Sequence, residues 1–253
     1  MINPRTIWVM VKREVMAFAL SPIVYLVLFF FLLMTAFSFT ISVHALNEGP
    51  REFTVMELFF QNFFIWTAQL FIMPVLTMRS FSEEYRLGTF EGLMTAPVRD
   101  WEVVLAKFFG VMIFFCVLWA PTGLYQLVFR LVTTSEAPLS AGPSWCCYLI
   151  IFMTGALYAS AGIMASSMTR NQIIAAVIST VSISLLFFVG LLNFFFNLPA
   201  GIRDAIQYIS IFEHVEQFSK GLINTKAIAF YISTTFLFLF LTQKIIESKR
   251  WRA

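Results

Sequence analysis

Charged residues are scarce in this sequence. Asp, Glu, Lys and Arg make up 12% of its 253 residues, whereas apolar side chains make up 59%. A soluble globular domain carries about 25% charged residues, and the mean hydropathy of +0.82 indicates that a lipid bilayer is the solvent. The net charge is only +3, and the absence of any block of like charges argues against a nucleic-acid-binding arm. We therefore predict a membrane protein in contact with lipid and with no nucleic-acid partner.

The residues that carry most catalytic chemistry are also few. The three cysteines and two histidines form neither a disulfide framework nor a metal-ligand motif. The sequence contains no GxxxxGK[ST] phosphate-binding loop and no HExxH motif. His44 and His214 are predicted to be ordinary surface residues. We predict that the chain is not an enzyme, with no catalytic residue, metal site or cofactor, so that energy for any work comes from another protein.

Six apolar runs have the length of about 20 residues that a helix needs to cross a bilayer. They predict an all-α integral membrane protein, with one transmembrane domain over residues 1–253 and spans at 22–46, 58–78, 103–129, 145–168, 172–192 and 227–243. The central parts of these spans lack ionisable side chains, which argues against proton or sodium coupling. Lys107 lies near the start of the third span, which we therefore expect to begin outside the lipid.

The distribution of positive charge predicts the orientation of the chain. Most lysines and arginines share one side of the membrane when both termini are placed on that side, and positive charge is retained in the cytoplasm. Both termini are therefore predicted to be cytoplasmic. Before the first span, five apolar residues share one face of a helix that would lie in the membrane interface: Ile7, Trp8, Val11, Val15 and Phe18. An ordinary charged lead-in is the alternative.

The loop over residues 79–102 is too charged to be embedded and too long for a simple connector. Its pattern predicts a helix on the cytoplasmic surface, because Ser80 and Glu83 fit a capping box and Glu83 and Arg86 form an i,i+3 ion pair. Asp100 is placed to cap the third span. Glycines that allow a bend and apolar residues follow before a predicted stop: Gly88, Phe90, Gly92, Leu93, Met94, Ala96 and Pro97. A surface that contacts a partner explains this length, and a solvated loop is the alternative.

Residues 193–227, between the fifth and sixth spans, are too polar to cross the membrane. Apolar side chains recur at helical spacing in two stretches: Ile202, Ala205, Ile206 and Ile209, and then Phe212, Val215, Phe218 and Leu222. Two short amphipathic helices on the extracytoplasmic membrane surface are predicted, with a plain extracellular loop as the alternative.

The fourth span carries a stripe of small residues, which lets helices approach closely in lipid. Its members are Gly155, Ala156, Ala159, Ser160, Ala161, Gly162 and Ala165. We predict that this stripe is a packing seam within the chain.

Two segments resemble the permease subunits of ABC-2-type transporters. Residues 81–110, FSEEYRLGTFEGLMTAPVRDWEVVLAKFFG, are similar to that family's segment between the second and third spans. Residues 211–252 are similar to its closing block, including that of the branch that contains the gliding-motility permeases. The resemblance implies a multi-pass permease of the bacterial cytoplasmic (inner) membrane that forms a homodimer or a heterodimer. It also implies two separate ATP-hydrolysing subunits bound at the cytoplasmic face.

In that family the helix after the second span docks into the ATPase and transmits its closure. The residues that would form or support this ATPase-coupling surface are Glu83, Glu84, Arg86, Gly88, Thr89, Glu91, Leu93 and Met94, with Pro97 fixing the turn into the third span. Tyr85 stands where the family more usually has Lys or Arg. The implied function is export of an unidentified substrate. Two alternatives stay open: a component that relays ATPase-driven motion to an extracytoplasmic accessory protein, and a passive scaffold without an ATPase.

Overall fold

The computed structural model describes residues 4–47, 55–95, 98–132, 141–196 and 199–250, and within these ranges all regular structure is helical. The helices of these ranges are α1 (Pro4–Ala19), α2 (Pro22–Asn47), α3 (Val55–Gln61), α4 (Phe63–Thr77), α5 (Ser82–Leu87), α6 (Thr89–Thr95), α7 (Asp100–Trp119), α8 (Thr122–Val132), α9 (Ala141–Met168), α10 (Gln172–Val189), α11 (Leu192–Phe195), α12 (Ala200–Ile209), α13 (Ile211–Ser219) and α14 (Thr225–Arg250).

Six helices or helix pairs are long and apolar enough to cross a membrane, which confirms the predicted all-α class with six spans. Two of the predicted spans are interrupted. The second is broken at Asn62, whose side chain accepts a hydrogen bond from the Phe64 backbone N–H at 3.1 Å and so caps α4. The third is broken at Pro121, which has no N–H to continue the helix. Thr122 Oγ1 donates instead to the Trp119 carbonyl oxygen at 2.6 Å as α8 begins.

Helix α9 lies at the centre of the bundle, where it packs against α4, α7, α10, α13 and α14. Most of its small residues are buried. A Cβ atom at Gly162 would collide with the side chain of Thr77, and one at Gly155 would collide with the ring of Phe115. The predicted packing seam within the chain is therefore confirmed. By contrast, only 28% of the apolar window of α2 and 22% of that of α10 is buried, which leaves their outer faces for lipid or another subunit.

The α1 helix is present as predicted and packs against α7. Met10 and Val11 are buried, and Ile7, Val15 and Phe18 pack against the core. Trp8 is 65% exposed and so does not share the packing of these residues against the rest of the chain. Phe18 of this face stacks on Phe114 of α7, with 5.5 Å between the ring centres. The location of α1 in the membrane interface stays a prediction.

The two predicted helices between the fifth and sixth spans are α12 and α13. Ser210 separates them, and its Oγ accepts a hydrogen bond from the Glu213 backbone N–H at 3.4 Å. α13 packs against α3 and α9. Because α3 precedes the spanning helix α4 and α5 follows it, α13 lies at the end of the bundle opposite α5. Most of α12 is exposed.

The interpretation of His214 as a surface residue is wrong. Its side chain is 3% exposed, and its Nδ1 lies 3.2 Å from the Tyr231 hydroxyl. His214 shares one face of α13 with Ile211, Val215 and Phe218, at the i, i+3, i+4 and i+7 spacing that packs against a core. Burial lowers the pKa of His214 to about 4, so the imidazole is neutral at pH 7.

Candidate functional site

The polar segment between α4 and α7 folds as the two short helices α5 and α6. Gly88 ends α5 with φ of +71°, in the left-handed region that glycine adopts without a steric penalty. The predicted bend at Gly88 is therefore confirmed. Thr89 begins α6, and its Oγ1 donates to the Glu84 carbonyl oxygen at 3.5 Å. The predicted stop at Pro97, like the side chains of Leu93 and Met94, lies outside the described residues.

The start of α5 is capped by another helix. The backbone N–H groups of Phe81 and Ser82 both donate to Ser166 Oγ, at 3.0 and 3.1 Å. That hydroxyl donates in turn to the Met78 carbonyl oxygen at 2.9 Å. The predicted capping box of Ser80 with Glu83 is therefore wrong. The helix starts two residues later than Ser80, and Ser166 of α9 supplies the oxygen that the first-turn N–H groups require.

An ion cluster centred on the buried Lys107 joins α5 to α1 and α7, with the Arg13 side chain 54% exposed at its edge. Lys107 Nζ lies 2.8 Å from Glu84 Oε1 and 3.1 Å from Glu14 Oε1. Arg13 Nη2 lies 3.2 Å from the same Glu84 oxygen and 3.0 Å from that of Glu14. The Lys107 ammonium also sits 5.0 Å from the centre of the Phe81 ring. The cluster contains two cations and two carboxylates, so its formal charge is zero.

Lys107 is 2% exposed, so its ammonium has little access to water. Its predicted position at the edge of the lipid stays a prediction. Protein carboxylates solvate the ammonium instead, which makes its burial tolerable. Burial by itself would raise the pKa of Glu14, but Lys107 and Arg13 together hold that pKa below its usual value. Glu14 is therefore ionised at pH 7, and the ion pairs persist at that pH.

The C-terminal end of α14 contacts α5 through Tyr85. The Lys249 ammonium lies 3.8 Å from the centre of the Tyr85 ring and donates to the Ser167 carbonyl oxygen at 2.7 Å. The ring of Phe90, on α6, lies 4.5 Å from that of Tyr85. Tyr85 thus offers a π face to a cation, a contact that the Lys or Arg expected at this position from the resemblance would not make. Helices α1, α7, α9 and α14 therefore all contact α5.

The spacing predicted that Asp100 caps α7, and this prediction is wrong. Asp100 is the first residue of the helix, and its carboxylate lies 3.3 Å from Arg250 of α14. The backbone N–H of Arg99 donates instead to Glu102 Oε2 at 3.1 Å. The carboxylate three positions into the helix reaches the preceding N–H, as in a capping box.

The opposite side of α5 and α6 faces away from the bundle. Its exposed residues are Arg86, Leu87, Gly88, Thr89, Glu91 and Gly92. Leu87 is 63% exposed. The predicted ion pair between Glu83 and Arg86 is present at 4.0 Å. The structure thus divides the predicted residues, because Glu84 points into the ion cluster whereas Arg86, Gly88, Thr89 and Glu91 form an outward surface. We call this outward set, with Glu83 and Leu87, the α5–α6 surface.

Sequence reasoning missed most of the inner contacts of α5. Arg13, Glu14, Ser166 and Lys249 lie far along the chain from Glu84, and only the folded structure brings them together. For Lys107, the sequence did indicate that a partner was needed. It is a lone cation in a long apolar run, and such a residue requires an acidic partner somewhere in the protein.

These features define a multi-pass α-helical membrane protein in which a polar helix pair at one end of the bundle is tied to four other helices. Residues 70–246 match the family model of the ABC-2 family transporter protein. The match covers well over half of the chain, which belongs to this family. The protein is accordingly a membrane component of an ABC transporter, and membership implies an ATPase partner. No curated protein matches the chain significantly.

Proposed function

We propose that the chain is the permease subunit of an ABC exporter and that the α5–α6 surface binds its ATPase. One observation carries the proposal. α5 presents polar and apolar side chains outward, while its other side contacts α1, α7, α9 and α14. A helix with this arrangement can receive a force from a partner and pass it to the spans.

The outward side suits a protein partner. Charged residues accompany the exposed side chain of Leu87 on this surface, namely Glu83, Arg86 and Glu91. An apolar anchor with a charged rim is the usual composition of a transient protein interface. Charged residues of both signs favour a specific orientation of the partner over general adhesion.

The inner side suits transmission. Glu84 Oε1 is bound by Lys107 of α7 and Arg13 of α1, so a displacement of α5 strains both ion pairs. Breaking the pair with Lys107, whose side chain is 2% exposed, costs about 3–5 kcal/mol. The Arg13 side chain is 54% exposed, so its pair contributes less. Movement of α5 that keeps these pairs intact therefore carries α1 and α7 with it, and this coupling would reorient the third span.

The remainder of the proposed assembly follows from the family. ATP hydrolysis belongs to the separate ATPase subunit, so this chain is not itself an enzyme. Two permease domains, identical or different, would enclose the pathway, and the outer faces of α2 and α10 are available for that contact. We place α5 and both termini in the cytoplasm of a bacterium, with the spans in its inner membrane, because positive charge concentrates at that end of the bundle.

A second candidate function is the relay of motion to an extracytoplasmic protein, as in the gliding-motility branch. The exposed side of α12 favours it, because Ile202 is 52% exposed and Tyr208 is 45% exposed. A polar cavity beside this helix is lined by Arg203, Glu213 and Glu216. Site-specific cross-linking from Arg203 would capture an accessory protein if relay is the function, whereas an exporter gives no such product.

Docking is tested by comparing variants of two leucines that are almost equally exposed. Leu87 is 63% exposed and Leu222, at the opposite end of the bundle, is 62% exposed. The chain is co-expressed with a candidate ABC ATPase and purified through a tag on the chain. Leu87→Arg is expected to reduce the recovered ATPase about tenfold or more, as loss of an interface anchor does, whereas Leu222→Arg leaves recovery unchanged.

The test of coupling uses Glu84→Gln, which keeps the shape of the side chain and removes its charge. This variant is expected to recover the ATPase at the unaltered level, because Glu84 does not belong to the outward surface. The permease-dependent change in ATP turnover is expected to be lost. Unaltered recovery with Leu87→Arg contradicts docking, and unaltered turnover with Glu84→Gln contradicts transmission.

A further inference from the structure

Two apolar grooves run along the first half of α9 on its outward side. One, of about 390 Å³, lies between α9 and the break that separates α7 from α8. The other, of about 210 Å³, lies between α9 and α14. Phe152 of α9 lines both grooves and is 46% exposed. The grooves are therefore neighbours, and the ring of Phe152 is the ridge between them.

The packing of α7 against α14 explains why α9 reaches the surface here. At the α5 end of the bundle the two helices are in contact, because Arg250 of α14 lies 3.3 Å from Asp100 of α7. Toward the other end α9 lies between them, since Phe152 has a groove with α7 on one side and a groove with α14 on the other. Trp145, two turns before Phe152 on the same face of α9, is 75% exposed. We call these two grooves together the α9 cleft.

Both grooves are lined mainly by apolar side chains. The groove beside α8 is lined by aromatic rings and by the small residues Ala120 and Gly123. The hydroxyl group of Tyr148 in this lining is paired with Thr122 Oγ1 at 3.1 Å. The groove beside α14 includes Ile232, Phe236 and Leu239. None of the described residues that line the cleft is charged, so the cleft suits hydrocarbon, which binds through many van der Waals contacts.

The depth of the α9 cleft matches one leaflet of a bilayer. α9 ends beside α5, where Ser166 caps the first turn, so Trp145 lies near the opposite membrane surface, a level at which tryptophan is enriched. From Trp145 to Ala156, which lines the groove beside α14, α9 rises about 16 Å. Half of a bilayer core of about 30 Å has nearly the same thickness. The cleft thus follows the leaflet away from α5, which is extracytoplasmic in the orientation proposed above.

We propose that the α9 cleft binds one phospholipid of this leaflet, with one acyl chain in each groove and the ring of Phe152 between the chains. The two chains diverge from one glycerol, as the grooves diverge around Phe152. A helix of a second copy is about 10 Å wide and would rest on the Phe152 ridge, which leaves the grooves unfilled, whereas flexible chains fill them. The site is independent of the ATPase and of the direction of transport.

The experiment counts the lipids bound to the purified, delipidated full chain by native mass spectrometry. Phosphatidylcholine with two acyl chains and lysophosphatidylcholine with one are titrated separately, each with a photoactivatable diazirine in an acyl chain. Binding is expected to saturate at one two-chain lipid or at two single-chain lipids per protein chain, because each groove holds one acyl chain. Cross-linked peptides are expected to come from α8, α9 and α14.

The helices α2 and α10 provide an internal control for ordinary boundary lipid. Leu26 of α2 is 69% exposed and Leu185 of α10 is 63% exposed, which is more than Phe152, and neither residue lines the α9 cleft. Cross-linking to α2 and α10 is expected to keep rising with lipid concentration. Cross-linking within the cleft is expected to reach a plateau.

The variant Gly123→Trp fills the groove beside α8. A Cβ atom at Gly123 meets no atom within 4 Å, so a side chain has room there. This variant is expected to bind the two-chain lipid at least about fivefold more weakly, because its ring occupies the volume that one acyl chain requires. The single-chain lipid is expected to fall from two per chain to one, and the lipid that remains shows that the variant is folded. Gly201→Trp on α12, where a Cβ also has open space, is the matched control and is expected to change nothing.

Several results would overturn the proposal. Two two-chain lipids per protein chain would make the grooves separate sites, and cross-linking that follows exposure without a plateau would indicate boundary lipid alone. Unaltered binding of the two-chain lipid by Gly123→Trp also overturns it, as does loss of both single-chain lipids from folded Gly123→Trp. A disulfide between two copies of Phe152→Cys, formed in membranes, would show that a second copy covers the cleft.

Discussion

Replacing Lys107 by methionine tests whether the buried ion cluster is held together as its geometry indicates. Methionine is close to lysine in length and removes only the ammonium. Glu84 and Glu14, which lie 2.8 and 3.1 Å from that ammonium, would then face each other with Arg13 as their one remaining cation in the cluster. Two carboxylates that share a single partner repel each other in a poorly hydrated site.

The expected loss of stability is about 3 kcal/mol. Removal of one partner from a buried ion pair costs about 3–5 kcal/mol, and the lower end applies because Arg13 stays within 3.2 Å of both carboxylates. For a chain of this size, that loss lowers the apparent melting temperature by roughly 6–12 °C. The triple variant Lys107→Met, Glu84→Gln and Glu14→Gln removes every unbalanced charge and is expected to recover most of the stability.

The assay is thermal unfolding of the purified chain in detergent, followed by circular dichroism at pH 7 and at pH 4. Glu14 has its pKa lowered from the ordinary value of 4.5 in the folded protein. The stability that its charge supplies is therefore present above pH 4.5 and is lost as the pH falls below that value. The difference between Lys107→Met and the unaltered chain is expected to shrink at pH 4. A single variant as stable as the unaltered chain at pH 7, or a triple variant less stable than the single one, refutes the cluster.

Three further predictions concern individual positions. Gly88→Ala is expected to cost about 1 kcal/mol in thermal unfolding, because φ is +71° there, whereas Gly92→Ala, where a Cβ has open space, is expected to stabilise α6 slightly. Gly162→Val is expected to prevent folding or lower the melting temperature sharply, since its side chain would displace Thr77 between α9 and α4, and recovery of monodisperse protein at the normal yield contradicts this. His214 stays neutral in the folded chain, with a pKa of about 4 against an ordinary 6.5, so its burial is expected to lower stability as the pH drops from 6.5 towards 4. In His214→Phe the slope between pH 6.5 and 4.5, above the range in which Glu14 contributes, is expected to disappear.

Much of the fold follows from the sequence because the bilayer imposes a simple length requirement. Six runs of about 20 apolar residues predict six spans, and the helical spacing of apolar residues predicts α12 and α13. The errors lie where local patterns compete with distant partners. The break at Asn62 divides an apolar run that length alone treats as continuous. Ser80 and Glu83 have the spacing of a capping box, yet the N–H groups at the start of α5 donate to the hydroxyl of Ser166 instead.

The candidate site was predictable as a segment but not as a set of contacts. Charge density and length singled out residues 79–102, and the resemblance assigned them to a partner. Which side chains face that partner could not be read from the spacing, since α5 is less than two turns long and its apolar pattern is weak. Glu84 and Arg86 look alike as charged residues in the sequence, but Glu84 points inward and Arg86 points outward.

The sequence by itself determined the solvent of this protein, the number of its spans and the location of the polar helix pair, because burying charge in lipid is costly and few arrangements avoid it. Only the tertiary structure decided how the charges that remain are compensated. Lys107, Glu84 and Glu14 are separated along the chain, and their pairing depends on how α1, α5 and α7 pack together. Electrostatic energy depends on distances in space, which the linear order of residues does not specify.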